Sequence, residues 1–187
     1  STLSQNLDAY DTEDVRSALG TISSSSEGLI SFVQSYRSLT HIAAPIRKAF
    51  YLRDLVNDSV TIAQANWPSA KVSYHELSED IILYADYGQI SQVMNNLIKN
   101  AVQAGASDID ITASIDKRER TVINVANNGE PISETGREQI FVPFYTTKGV
   151  SGTGVGLSLC RQIIRLNGGT INLTSSTPEA TVFTIVL

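Results

Sequence analysis

Apolar residues recur in steps of four and three along the first forty residues, a spacing typical of the seam of a coiled coil or helical bundle. The seam begins after Asp11 or Thr12, either of which can cap a helix, and comprises Val15, Leu19, Ile22, Ser26, Leu29, Val33 and Tyr36. Leu3 and Leu7 fit the end of a partner helix, which predicts the remnant of a helical hairpin. A solvated connecting helix is the alternative interpretation.

A domain boundary is predicted close to Pro45, because proline cannot continue a helix and restricts the residue before it. Residues 41–46 are then a linker. The chain is expected to divide into a partial hairpin with its linker over residues 1–46 and a folded domain over residues 47–187.

The pattern of residues 47–187 alternates between helical and strand periods. Helical spacing predicts helices over Leu52–Ala63, Tyr87–Ala104 and Leu157–Leu166. Strands are predicted near Val72 and Tyr74, in a more buried run at Ile81–Tyr84, and at Ile109–Ile115, Thr121–Val125, Thr170–Thr174 and Thr181–Leu187. This order predicts an α/β fold, a two-layer sandwich with helices on one face of a mixed β-sheet.

Composition limits the classes of protein that fit. With 187 residues, 42% of them hydrophobic, the chain can bury one core and a small appended piece. The net charge of −5 and the absence of a long Lys/Arg run argue against nucleic acid as a partner. The single cysteine, Cys160, excludes a disulfide framework. Without a membrane-length apolar run or a signal peptide, we expect the chain as given to be soluble.

Glycines alternate with other residues immediately before the last predicted helix. Gly152, Gly154 and Gly156 lack side chains that would keep an anion from the backbone N–H groups. The following helix adds its own unpaired N–H groups and the positive end of its dipole. The segment is therefore a candidate phosphate cradle, although its spacing matches neither a P-loop nor a dinucleotide fingerprint. A flexible loop ending in a helix cap is the structural alternative.

Two asparagines share one face of the helix predicted over Tyr87–Ala104. Asn96 and Asn100 are four residues apart, and Lys99 lies beside them. Amide oxygens are suitable ligands for Mg²⁺, and Lys99 would add a point charge for a phosphate. A solvated polar face explains the same pattern.

Two further segments are candidates for nucleotide contacts. Asn127 and Gly129 lie in a turn signal, but the amide of Asn127 can also accept a hydrogen bond from the exocyclic amine of a base. The aromatic cluster at 141–145 either caps a core or belongs to a lid. In the lid interpretation the following residues Thr146, Thr147 and Lys148 contact phosphates.

Taken together and in this order, the segments resemble the sensor histidine kinase branch of the gyrase, chaperone, histidine kinase and mismatch-repair ATPase superfamily, over roughly residues 50–187. The matching segments are 96–101 with the family's N box, 127–132 with its first glycine box, 140–148 with its F box and 152–157 with its second glycine box. Residues 31–45 resemble the second helix of the dimerisation and phosphoacceptor hairpin, and its exit, in nitrogen-regulation-type sensor kinases.

The resemblance implies a Bergerat-type ATP-binding fold and transfer of the γ-phosphoryl group of ATP to a histidine. It makes Asn100 the Mg²⁺ ligand and gives Asn96 and Lys99 catalytic roles. At the position matching Asn96, the hydrolases of the superfamily carry a glutamate base, so an amide there favours transfer over hydrolysis. The residues implied to hold the nucleotide are Asn96, Lys99, Asn100, Asn127, Gly129, Phe141, Thr146, Thr147, Lys148, Gly152, Thr153, Gly154, Val155, Gly156, Leu157 and Thr181.

The chain departs from the family pattern in its first glycine box. That box usually opens with an adenine-binding aspartate and has a second glycine, where this chain has Asn127 and Pro131. A neutral amide gives up charge assistance to the adenine contact. These residues support a second hypothesis, a degenerate nucleotide-binding regulatory module without phosphotransfer. A protein-serine kinase of the anti-sigma-factor type is a third, which the bundle-like first helix disfavours.

The phosphoacceptor histidine of the family has no match in this chain. In the family this histidine lies in an H box on the first hairpin helix, followed by an acidic residue and a proline pattern. His41 lies in the predicted linker and His75 in a predicted strand, and neither is followed by that pattern. We therefore expect an H box upstream, and a fragment that does not label itself. The resemblance further implies a response regulator as a partner and a homodimer formed through the hairpin. It also implies a cytoplasmic location, with a membrane reached only through an upstream region that is not in this chain.

Overall fold

The computed structural model describes residues 12–147 and 152–187. Its first element, helix α1 (Thr12–Thr40), confirms the helix predicted from the apolar seam. Leu19, Ile22 and Leu29 of that seam are 60%, 58% and 64% exposed, so nothing in the described chain covers them. The predicted partner-helix residues Leu3 and Leu7 lie outside the described residues.

The remaining elements of the described chain follow residues 41–47, which form neither helix nor strand. In order they are β1 (Lys48–Tyr51), α2 (Leu52–Asn66), β2 (Lys71–Glu76), β3 (Ile82–Ala85), α3 (Tyr87–Gln103), β4 (Asp108–Ile115), β5 (Thr121–Asn127), α4 (Glu134–Gln139), α5 (Gly156–Leu166), β6 (Thr170–Ser176) and β7 (Thr181–Val186).

The main sheet has five strands in the order β2-β4-β5-β7-β6. β2 pairs with β4 in parallel, and the other neighbours are antiparallel. One face of the sheet is apolar and packs against α2, α3 and α5, which confirms the predicted two-layer α/β arrangement. The core between the layers includes Leu55, Val93, Met94, Leu97, Ile111, Ile123, Ile163, Ile164 and Ile185.

A second, two-stranded sheet was not predicted. β1 pairs with β3 antiparallel, apart from the main sheet. The expectation of a more buried strand at Ile81–Tyr84 is wrong: Ile82 and Tyr84 are 56% and 70% exposed, whereas Ile81 and Leu83 are buried. The physical reason is that this two-stranded ribbon is covered on one face only, so alternate residues point to solvent.

Helix α4 was also not predicted. It has only six residues, too few to show a helical period, and its start is fixed by Ser133, whose hydroxyl accepts a hydrogen bond from Gly136 N at 3.1 Å. Strand β5 extends two residues beyond the predicted Val125 and ends at Asn127. This extension places a buried amide at the end of a central strand.

Residues 43–47 are held by hydrogen bonds to the helices that pack on the main sheet. Asp86 caps α3 by accepting from Gln89 N at 3.0 Å, and its other oxygen accepts from Ile46 N at 2.8 Å. These backbone N–H donors lower the pKa of Asp86 below its ordinary value. The Gln89 side chain also donates to Ala43 O, and Arg47 donates to Leu166 O at the end of α5. The exit of α1 is thereby joined to both helices that frame the cleft described next.

Candidate functional site

A cleft of about 540 Å³ lies between α3, α5 and the loops on either side of α4. Polar and apolar residues both line it. The lining residues include Asn96, Lys99, Asn100, Asn127, Glu130, Pro131, Ile132, Ser133, Ile140, Tyr145, Thr146, Thr147, Gly152, Thr153, Gly154, Gly156, Leu157, Thr181 and Phe183.

The two asparagines of α3 meet the first residue of α5 at one end of the cleft. A Cβ on Gly156 would lie 3.6 Å from Asn96 Oδ1 and 4.0 Å from Asn100 Nδ2. Lys99 lines the same cleft. The fold therefore brings two predicted amides to the N-terminus of α5 and the predicted Lys99 to the same cleft.

Cys160, one turn into α5, lies beneath this end of the cleft. It is fully buried, and its thiol lies 3.9 Å from Val93 O and beside the Asn96 side chain. Burial raises the pKa of the Cys160 thiol to about 12, against the smaller opposing effect of the Asn96 hydrogen bond. The thiol is uncharged at neutral pH and supports Asn96 by packing.

The glycine loop leads into α5 without a side-chain cap. Val155 is the N-cap residue and makes no side-chain capping bond, so the N-cap side chain does not occupy the first N–H groups of the helix. Gly156 and Leu157 carry two of these groups and line the cleft. Val155 itself was expected to contact nucleotide, but it is 2% exposed and outside the lining, because its side chain packs in the core.

Gly154 is required by the protein's own packing. Its φ is +64°, and a Cβ there would lie 2.4 Å from the carbonyl carbon of Phe144. Phe144 N donates to Gly154 O at 2.9 Å, and Phe144 also has a positive φ of 68°. These contacts fasten the segment 141–145 to the glycine loop. Of the predicted lid residues, Thr146 and Thr147 line the cleft, and Lys148 lies outside the described residues.

Asn127 and Thr181 form the other polar end of the cleft. They are paired across β5 and β7, and both are buried. Asn127 Oδ1 accepts from Gly129 N at 3.1 Å, and Asn127 Nδ2 donates to Thr181 O at 3.3 Å. The Thr181 hydroxyl shares a 2.8 Å hydrogen bond with the Ser176 hydroxyl, which accepts from Ile132 N at 2.8 Å. The predicted base-contacting pair is therefore held by a buried network.

Gly129 and Phe141 do not line the cleft, contrary to expectation. A Cβ on Gly129 would lie 2.8 Å from Ala104 O, so the glycine allows its turn to close on the end of α3, rather than allowing a base to approach. Phe141 packs edge-on against Phe183 with ring centroids 6.4 Å apart, and the Arg161 guanidinium lies 4.8 Å from the Phe141 ring centroid. Phe141 supports the cleft wall from behind, as in the core-capping interpretation.

Several lining residues were not predicted from the sequence. Ile132, Ser133, Ile140, Tyr145 and Phe183 contribute to the cleft mainly through α4 and the segments beside it. Ile132, Ile140 and Tyr145 lay within the segments matched to the family's boxes but were not singled out, and nothing in the sequence analysis pointed to Ser133 or Phe183. Pro131, noted only as a departure from a motif, also lines the cleft.

The arrangement suits an elongated ligand with a polar heterocycle at one end and an anion at the other. The helix N-terminus and Lys99 attract the anion. The neutral amide oxygens of Asn96 and Asn100 fit a hydrated Mg²⁺ that phosphates also hold.

Comparisons with known proteins agree with this geometry. The family model described as "Histidine kinase-, DNA gyrase B-, and HSP90-like ATPase" matches residues 85–187. The sensor histidine kinase ZraS of Escherichia coli (strain K12) is 32% identical over 152 residues, which are 79% of this chain and 32% of ZraS. The chain thus spans about a third of the length of the curated relatives it matches.

Two solved structures are similar in fold. The nucleotide-free catalytic domain of histidine kinase ThkA is 33% identical, with a TM-score of 0.67, and the match covers 75% of this chain and 94% of that one. A complex of ThkA with the response regulator TrrA matches with a TM-score of 0.74 and 26% identity, over 96% of this chain and 53% of that one.

No helix in the described part of the chain combines the length and apolarity needed to cross a membrane.

Proposed function

Because the chain belongs to the histidine kinase-, DNA gyrase B-, and HSP90-like ATPase family, we propose that its cleft binds Mg²⁺-ATP and transfers the γ-phosphoryl group to a histidine outside this chain. The observation that carries the proposal is the convergence of Asn96 and Asn100 on Gly156, with Asn127 and Thr181 at the other end of the same cleft. A cleft with buried hydrogen-bonding groups for a base and a helix N-terminus for an anion fits a nucleoside triphosphate.

At the anion end, neutral backbone N–H groups and the positively charged Lys99 hold the phosphates. The N–H groups at the start of α5 donate to phosphate oxygens, and Lys99 adds a positive charge. Asn100, with Asn96 beside it, would hold Mg²⁺, which when bound neutralises phosphate charge and orients the β- and γ-phosphates. Thr146, Thr147 and Lys148 complete the lid in this proposal.

The chemistry proposed is phosphoryl transfer rather than hydrolysis. The bond from the γ-phosphorus to the bridging oxygen of ADP breaks, a P–N bond to the imidazole forms, and ADP leaves. Asn96 has an amide that cannot take a proton from water, so it positions groups without generating hydroxide. Positioning and charge neutralisation are the protein's main contributions to such a transfer.

The wider assembly is part of the same proposal. Residues 1–46 would be part of a dimerisation and phosphoacceptor hairpin with its linker, residues 47–187 the catalytic domain, and the exposed seam of α1 the homodimer contact. A response regulator is the proposed downstream partner, since the related ThkA has been crystallised with one. We propose that the reaction takes place in the cytoplasm and that the chain belongs to the nitrogen-regulation-type subgroup of sensor kinases.

Transfer in trans tests the proposal. The chain is mixed with Mg²⁺, ATP radiolabelled at its γ-phosphate, and the hairpin expected upstream, whose competence is shown by its labelling in the intact protein. We expect base-stable, acid-labile labelling of the hairpin, no labelling of the chain alone, and a strong loss with Asn100→Ala. An unlabelled hairpin, in the presence of a chain that binds nucleotide, would favour the regulatory-module hypothesis.

A further inference from the structure

The amide of Asn127 has a fixed orientation. Gly129 N donates to its Oδ1, and Thr181 O accepts from its Nδ2. A rotated amide would place its NH₂ group against the Gly129 N–H donor and its oxygen against the Thr181 O acceptor, and both bonds would be lost. An amide oxygen accepts two hydrogen bonds and an amide nitrogen donates two. In the described parts of the chain each atom uses one, which leaves one acceptor and one donor at this buried end of the cleft.

The hydrogen bond between the Thr181 and Ser176 hydroxyls can be donated by either residue. Ser176 Oγ accepts from Ile132 N, and keeps a proton and a lone pair, so either hydroxyl can be the donor in the 2.8 Å bond between Ser176 and Thr181. When Ser176 donates, Thr181 can donate into the cleft. When Thr181 donates to Ser176, its oxygen can accept from the cleft. Thr181 therefore adapts to a donor or an acceptor on the ligand.

We propose that this end of the cleft accepts both 6-amino and 6-oxo purines, so that the site binds inosine and guanosine triphosphates as well as ATP. The inference rests on the proposed function. A 6-amino purine presents a donor at position 6 and an acceptor at N1, and a 6-oxo purine presents the reverse. Asn127 offers an acceptor to the first and a donor to the second, and Thr181 reverses its role to match.

A carboxylate in place of Asn127 would remove this tolerance. It can only accept, so it would repel the 6-oxo oxygen, and its second oxygen would face Thr181 O without a donor between them. Asn124→Asp is a matched control, because Asn124 lies on the same strand, outside the cleft lining, and its Oδ1 accepts from Thr184 at 2.7 Å, a role that a carboxylate keeps.

Calorimetric titrations with Mg²⁺ and the β,γ-imido analogues of ATP and inosine triphosphate test the inference. Inosine is the clean probe, because it lacks the 2-amino group of guanosine. We expect the two dissociation constants to agree within about tenfold in the unmodified chain and in Asn124→Asp, and Asn127→Asp to weaken inosine binding relative to ATP binding by about tenfold or more. Circular dichroism confirms that each variant is folded.

Two results overturn the inference. ATP binding that exceeds inosine binding by more than about tenfold in the unmodified chain would contradict it and leave the proposed function intact. If the ratio of the two dissociation constants, inosine analogue over ATP analogue, is unchanged in folded Asn127→Asp, Asn127 does not have the role assigned to it. Failure of both analogues to bind would instead count against the proposed function itself.

Discussion

Gly156, the first residue of α5, lies directly against Asn96 of α3, such that a Cβ on the glycine would be 3.6 Å from Asn96 Oδ1. That is an ordinary van der Waals distance, so the glycine is not required by packing within the protein. Its lack of a side chain instead keeps open the end of the cleft where the proposed phosphates and Mg²⁺ bind.

Gly156→Ala is therefore expected to separate stability from binding. Alanine is a better helix former than glycine, so the free energy of unfolding should stay the same or rise by up to about 1 kcal/mol. The added methyl group would occupy the space beside Asn96 and Asn100, and nucleotide affinity should fall about tenfold or more. Thermal unfolding and a nucleotide titration measure the two effects, and unchanged affinity would contradict the assigned site.

Gly154→Ala is expected to act in the opposite way. A Cβ there would lie 2.4 Å from the Phe144 carbonyl carbon, and the φ of +64° is unfavourable for alanine. We expect the free energy of unfolding to fall by about 1–3 kcal/mol, measured with urea. Stability equal to that of the unmodified chain would show that the contact between the segment 141–145 and the glycine loop is not maintained in solution.

The sequence predicted α3 and α5 well because both are long enough to show an apolar face, and Asp86 also marks the start of α3. The positions of Asn96, Asn100 and Gly156 followed from those helices. β1 and α4 were missed because neither the four residues of β1 nor the six of α4 show a clear strand or helical period. The Ser176–Thr181 network was also missed, because it depends on the pairing of β6 with β7.

The reactivity of the Cys160 thiol toward a labelling reagent should report on unfolding. Because burial raises the pKa of its thiol to about 12, a thiol reagent at mildly alkaline pH should not label the native chain. In denaturant the single cysteine should react stoichiometrically. Rapid, complete labelling of the native chain would contradict the buried position of this residue beneath Asn96.

Asp86 should contribute stability that depends on pH. Backbone donors lower its pKa below the ordinary value of 3.8, so its charge stabilises the fold above that pH, and the contribution is lost as the pH falls through the lowered pKa. Asp86→Ala should cost about 1 kcal/mol at neutral pH, and Asp86→Asn, which keeps an acceptor for the cap, should cost less.

Urea unfolding across the acidic range tests this prediction. The difference in unfolding free energy between the unmodified chain and Asp86→Asn should shrink as the pH falls below 3.8. A difference that is constant with pH would mean that the charge of Asp86 does not stabilise the cap or its bond to Ile46.

In the proposed function, the cleft between α3 and α5 holds Mg²⁺-ATP through Asn100 and Thr181. Calorimetric titration of the chain with the β,γ-imido analogue of ATP, with and without Mg²⁺, measures this binding. We predict one binding site, Mg²⁺-dependent affinity, and losses of about tenfold or more in Asn100→Ala and Thr181→Val, with Asn124→Asp unchanged. No detectable binding at millimolar analogue, or binding that neither substitution weakens, would contradict the claim.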